Sequence, residues 1–267
     1  MSTPAEEPRV APASDYDTFV NWDARLAREL PFFRDLFAEV GVKSVIDVGA
    51  GSGRHAIAFA ERGLAVDAVD PGESMMAQAE RNAADAAERV AEAGGELRLL
   101  LGGFGELAAR GLGPADALTC TGNALPHVAG LAGLREALAD FHSVLRPGGV
   151  LVVHLLNHAR LLSARTRTIP PIVREVPEGT RVFLRVIDYP EGDEYLDLDF
   201  LTLTRDAAGE WEVASRRSSH TALPFGVLSE EIAAAGFDRI EAFGAHDRRP
   251  FNADKDESII VVARRGA

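Results

Sequence analysis

Between positions 16 and 40 the apolar residues Phe19, Trp22, Leu26, Leu30, Phe33 and Phe37 recur at spacings of three and four, the mark of helices that bury one face. Pro31 should divide this stretch into two helices, because an interior proline removes a hydrogen bond and clashes with the preceding turn. After Gly41 the texture changes. Short apolar runs at 44–48, 65–70, 96–101, 116–120 and 150–155 read as strands, and helical patterns at 54–62, 73–93 and 131–145 lie between most of them. Continuous apolar strands alternating with helices imply a parallel sheet covered on both faces.

A third texture follows. Runs at 181–186, 195–200 and 211–213 have period two and are separated by turns at 191–193 and 208–209, which predicts an antiparallel meander. A helix at 229–235 and strands at 239–243 and 258–262 then resume the earlier pattern, so the meander is an insertion. The expected architecture is α/β: a doubly wound, seven-stranded, mostly parallel sheet with a three-stranded antiparallel insertion inside 165–222. Residues 1–14 are rich in Pro, Ala and Glu and lack an apolar period, so they are expected to be disordered, leaving 15–267 as one domain.

The chain's 267 residues, 46% of them hydrophobic, supply enough core for such a domain. The single cysteine, Cys120, leaves no intrachain disulfide, and the first residues carry no secretory pattern, so a cytoplasmic protein is expected. The run Val150-Leu151-Val152-Val153 stops at His154, far short of the roughly 20 residues that cross a bilayer. With 28 Lys and Arg against 41 Asp and Glu, the net charge of −13 would repel a phosphate backbone. Neither membrane nor nucleic acid is expected as a partner.

The candidate chemistry begins where the strand at 44–48 runs into Gly49-Ala50-Gly51-Ser52-Gly53 and then a helix. Such a loop exposes backbone amides, and its missing side chains let a ligand approach. Asp70, at the end of the next strand, stands where doubly wound folds place an acid that accepts from both ribose hydroxyls. A dinucleotide fingerprint would need glycine where Arg54 stands, which disfavours a nicotinamide-dependent oxidoreductase. At Asp47, Gly49, Gly51 and Gly53 the sequence resembles the class I S-adenosylmethionine (SAM)-dependent methyltransferases, a Rossmann-like family. The resemblance extends from about 16 to 265, through Asp70, the strand at 116–120, the turn at 145–149 and the two C-terminal strands.

That resemblance implies SAM as cofactor and a small-molecule acceptor. It makes Asp70 the ribose acid, and puts Gly103 where relatives often carry an Asp for adenine, so adenine would rest on backbone groups and Phe104. Tyr16 and Trp22 would close over the cofactor, with a core position the alternative for Trp22, and Arg54 and His55, opening the next helix, are candidates for its carboxylate or else part of a solvated first turn. The segment Thr121-Gly122-Asn123-Ala124-Leu125-Pro126-His127 resembles the Gly-Asn-x-x-x-His stretch of glycine-type and related small-molecule N-methyltransferases. Asn123 is then a candidate to orient cofactor or acceptor, and His127 to accept a proton. Asn157, His158 and Arg160, beyond the next strand, are acceptor-side candidates, with His158 a second catalytic choice; a plain helix cap is the alternative there.

His154 and Cys120 read as core residues, and no His or Asp spacing reads as a metal ligand set. Transfer to an amine nitrogen is the expected reaction. A hydroxyl acceptor and a non-catalytic SAM-binding protein are the alternatives. The meander has two readings, a lid or a contact between subunits of a homo-oligomer.

Overall fold

The computed structural model describes residues 13–177 and 179–266, so the expectation for 1–14 falls mostly outside the described residues. Helix α1 (Ala13–Phe19) already includes positions 13 and 14. Helix α2 (Trp22–Val40) follows a break at Asn21, whose side chain caps it by accepting from the Ala24 amide, and it ends on left-handed Gly41. Pro31 lies inside α2 and does not divide it. An interior proline costs about 3 kcal/mol. Phe32, Phe33, Leu36 and Phe37, all buried beyond it, offset that cost by packing against the sheet.

The core alternates as the apolar pattern predicts: β1 (Ser44–Val48), α3 (Arg54–Ala60), β2 (Ala65–Asp70), α4 (Glu73–Glu92), β3 (Glu96–Leu101), β4 (Ala115–Cys120), α5 (Gly130–Val144) and β5 (Leu145–Leu156). Helices α6 (His158–Ala164) and α7 (Phe225–Ala234) and strands β10 (Phe237–Phe243) and β11 (Ser258–Arg265) complete it. The seven strands lie in the order β10-β11-β5-β4-β1-β2-β3; β11 runs antiparallel to β10 and β5, and the other pairs are parallel. One apolar cluster packs α2 and α3 on one face, and a second packs α5 and α7 on the other. Strand order reverses between β1 and β4, so the loops leaving their carboxyl ends open a crevice.

The insertion forms a separate antiparallel sheet of four strands, β6 (Thr168–Val176), β7 (Gly179–Asp188), β8 (Tyr195–Arg205) and β9 (Trp211–Thr221), in that order. This is one strand more than the pattern predicts. The additional strand, β6, contains Pro170 and Pro171, which argue against a central strand. It lies at the sheet edge, and its register shifts between Ile169 and Ile172, so the prolines sit in an irregularity that asks for no ladder donor. Among the described residues no helix is long and apolar enough to cross a membrane.

Candidate functional site

Gly49, Gly51 and Gly53 have φ of 70°, 57° and 74°, left-handed values that side chains disfavour. A Cβ on Gly49 would stand 2.5 Å from the Ala124 Cβ, so this glycine is what lets the loop after β1 meet the segment after β4. A Cβ on Gly53 would meet Ala79 of α4 at 3.1 Å. Asp47 is buried in β1, where Thr119 of β4 donates to it at 2.6 Å, and burial raises its pKa. It braces the two strands that carry the loops.

Asp70 accepts from the amides of Gly51 and Gly72, both at 2.8 Å. Burial pushes its pKa up against the pull of those two amides. A carboxylate has about four lone-pair sites, so two remain for hydroxyl donors. Phe104 is half-buried 5.9 Å from the Phe141 ring and reaches toward Gly49, while a Cβ on Gly103 would meet nothing within 4 Å. The chain therefore leaves room beside the loop for a flat group.

Helix α1 covers this loop. Tyr16 lies against Gly51 and Gly122, and its ring meets Trp22 edge-on at 6.0 Å. The anchor is Asp17, which sequence reasoning did not single out. Its carboxylate accepts from the Trp22 indole (3.0 Å), the Ser52 hydroxyl, the Arg54 guanidinium (2.9 and 3.2 Å) and the Asn82 amide (2.9 Å). Arg54 is thus committed to Asp17 instead of reaching a ligand carboxylate. His55 is also engaged elsewhere: buried, it shares a 2.7 Å hydrogen bond with Glu29 and lies 3.5 Å from the Thr121 hydroxyl.

A cavity of about 710 Å³ opens between α1, the segment after β4, the end of β5 and one face of the inserted sheet. Tyr16, Gly122, Asn123 and His127 line it. Asn123, at φ 68°, accepts from the Leu156 amide at 3.0 Å and turns its amide nitrogen to His220 at 3.4 Å. His127 lies 4.4 Å from the His220 ring. Desolvating walls and Arg216 push the His127 imidazole below its usual pKa, against the attraction of Asp70.

His158 is a correction. It is buried, its Nδ1 accepts from the Leu223 amide at 2.9 Å, burial lowers its pKa to about 4, and it does not line the cavity. Asn157 caps α6 at the Arg160 amide and ties down the carbonyls of Ala253 and Asp256, so this segment takes the helix-cap reading. His154 corrects in the opposite direction: it lines the cavity, and its buried Nδ1 has no hydrogen-bond partner among the described residues. It meets His246 and Glu29 there, with one donor atom from each within 4.8 Å. These three residues are distant in the chain, so no spacing reveals them as a donor set. Glu29 is already held by His55, Arg25 and Arg28; burial works to raise its pKa, but the His55 hydrogen bond and the Arg25 charge outweigh it and keep the pKa low.

The inserted sheet supplies side chains that the period-two pattern hid. Arg185 of β7, Phe200 of β8 and Arg216 of β9 are cross-strand neighbours in one row facing the cavity. Neither guanidinium has a hydrogen bond or ion pair among the described residues; Arg185 stacks over Phe19 at 5.2 Å, and burial lowers its pKa. The only signal in the sequence is the unbroken polar run 215–221 of β9, which does not alternate and so does not say which residues face the core.

Residues 45–149 match the family model described as a methyltransferase domain. The chain is 28% identical over 239 residues to the glycine/sarcosine N-methyltransferase of Parasynechococcus marenigrum (strain WH8102), covering 90% of this chain and 78% of that protein. The crystal structure of an S-adenosylmethionine-dependent methyltransferase from Clostridium acetobutylicum ATCC 824 superposes with a TM-score of 0.76 at 14% identity, covering 96% of this chain and 98% of that one. The sugar N-methyltransferase from Streptoalloteichus sp. ATCC 53650 gives 0.72 at 21% identity, covering 100% and 97%. These structural likenesses agree in fold, and the sheet order and acid-glycine loop agree with the sequence matches. Residues 45–149 are a methyltransferase domain, and the relatives and the fold are those of the class I SAM-dependent methyltransferases.

Proposed function

We propose that the chain methylates the nitrogen of a small amine that also carries an anionic group, and that this acceptor occupies the cavity under the inserted sheet. The observation that carries the reading is the row Arg185-Phe200-Arg216, two unpaired guanidiniums flanking an aromatic ring on the cavity wall. Arginine forks match carboxylate and phosphate oxygens, and the half-buried Arg185 and the exposed Arg216 offer one fork at the inner and one at the outer part of the wall. Relatives named for glycine and sarcosine, and a structural neighbour named for a sugar nitrogen, accord with an amine acceptor.

SAM supplies a methyl group already activated by its sulfonium. On this reading Asp70 takes the ribose hydroxyls through its free lone pairs, and Phe104 with the open side of Gly103 takes the adenine. Tyr16 and Gly122 border the passage from loop to cavity. The chain's main contribution is holding the nitrogen in line with the methyl carbon, worth roughly 7–11 kcal/mol of barrier. The amine lone pair forms the N–C bond as the C–S bond breaks, S-adenosylhomocysteine leaves, and the nitrogen then loses a proton. A hydroxyl acceptor would need a stronger base. His220 and His154 are both lowered to about 3, and His127 is lowered too, so the cavity histidines suit a neutral amine better.

The test is a panel of amines with and without carboxylate or phosphate groups, assayed with radiolabelled SAM. Anionic amines should lead, and Arg216→Ala should lower their kcat/KM about tenfold or more, the worth of a charged hydrogen bond. Preference for uncharged amines, unaffected by Arg216→Ala, would contradict the proposal.

A further inference from the structure

Asn123, His220 and Ser218 form a chain of hydrogen bonds whose direction is set at its fixed end. The Leu156 amide can only donate, so Asn123 Oδ1 is the acceptor of their 3.0 Å bond and the Asn123 Nδ2 is the side that faces His220. That Nδ2 donates to His220 Nδ1 at 3.4 Å, so the Nδ1 carries a lone pair. His220 is buried, which keeps its imidazole neutral at ordinary pH with its one proton on Nε2. Nε2 then donates to Ser218 Oγ at 3.0 Å. With that lone pair occupied, the Ser218 hydroxyl proton is free to point away from His220, and Ser218 lines the cavity.

We infer that Ser218 is a specificity-determining donor that binds an oxygen of the acceptor, and that Asn123 and His220 are positioning residues that fix its direction. The inference rests on the anionic-acceptor reading above. Arg216 and Ser218 are two residues apart on the same face of β9, some 6–7 Å along the strand, so one carboxylate or phosphate group can take the guanidinium on one oxygen and the hydroxyl on another. A group that offers only N–H donors at that point would meet the Ser218 proton head-on.

The test uses the protein saturated with S-adenosylhomocysteine, with acetate as the probe. Long-range proton–nitrogen NMR should show His220 protonated on Nε2 alone. Ser218→Ala should weaken acetate binding about tenfold, and Ser218→Thr, which keeps the hydroxyl, should largely preserve it. Asn123→Asp can only accept, so it should move the His220 proton to Nδ1 and weaken acetate as Ser218→Ala does. An Nδ1 proton in the unaltered protein overturns the inference, as does acetate binding that ignores Ser218→Ala yet is lost in Arg216→Ala. The latter result leaves the anionic acceptor standing. Acetate that fails to bind at all contradicts the anionic acceptor, and the His220 proton position then decides the donor direction by itself.

Discussion

At the scale of single residues, the site depends on positions where a backbone or carboxylate does one job that no neighbour can share. Asp70 accepts two loop amides and is nearly buried, so its removal leaves the Gly51 and Gly72 amides without a partner and, on the proposed reading, the ribose as well. Asp70→Ala should weaken SAM binding about tenfold or more by calorimetry, given the roughly 1.5–3 kcal/mol of a charged hydrogen bond. Unchanged affinity would remove Asp70 from the cofactor site. These residues were legible in the sequence because they follow strand ends directly. Asp17 was not, since its five contacts come from α2, the glycine loop, α3 and α4, which only the fold brings together. His158 misled for the same reason: a polar residue after a strand end can turn inward to hold a backbone amide.

At the scale of elements, local periodicity identified every strand of the large sheet but missed α6 and most of β9, and two further failures involve proline. Pro31 sits within α2 because the phenylalanines beyond it are buried, and β6 tolerates two prolines because it is an edge. Phe33, fully buried against Phe37 and Phe59, carries much of α2's attachment. Phe33→Ala should cost about 3–5 kcal/mol in denaturant unfolding. A cost below 1 kcal/mol would mean that α2 is held by something other than this packing. The inserted sheet was legible as a meander but not as the wall of a cavity. Whether Arg185 and Arg216 face solvent or a cavity depends on which side of the sheet meets the core, and that is settled by tertiary contacts alone.

At the scale of the whole molecule, a chain of net charge −13 gathers Arg25, Arg28, Arg185, Arg216, Arg249 and Lys255 around one cavity, against Glu29, Asp256 and Glu257. On the proposed reading, raising salt should raise the KM of an anionic amine while leaving that of a neutral analogue nearly constant, because screening acts on the charge alone. Equal salt dependence for both would remove charge from recognition.

The buried histidines add a pH signature. His154, His158, His220 and His246 are held at about 3 to 4 by burial, below an unfolded value near 6.5. Between those values the unfolded chain binds more protons than the folded one, so stability is full above about pH 6.5 and falls as pH drops toward 4, by up to about 1.4 kcal/mol per pH unit for each histidine. Melting temperature should therefore fall steeply over that window, and a flat profile would mean that these imidazoles are solvated.

The most direct test of the central claim is the fate of the methyl group itself. SAM labelled with carbon-13 at its methyl should be incubated with the protein and an anionic amine, and the product read by NMR. The account predicts a new N-methyl resonance that grows more slowly in Asp70→Ala at limiting SAM and in Arg216→Ala at limiting amine. Labelled methyl appearing only on oxygen, or an N-methyl product formed equally well by both variants, would contradict it.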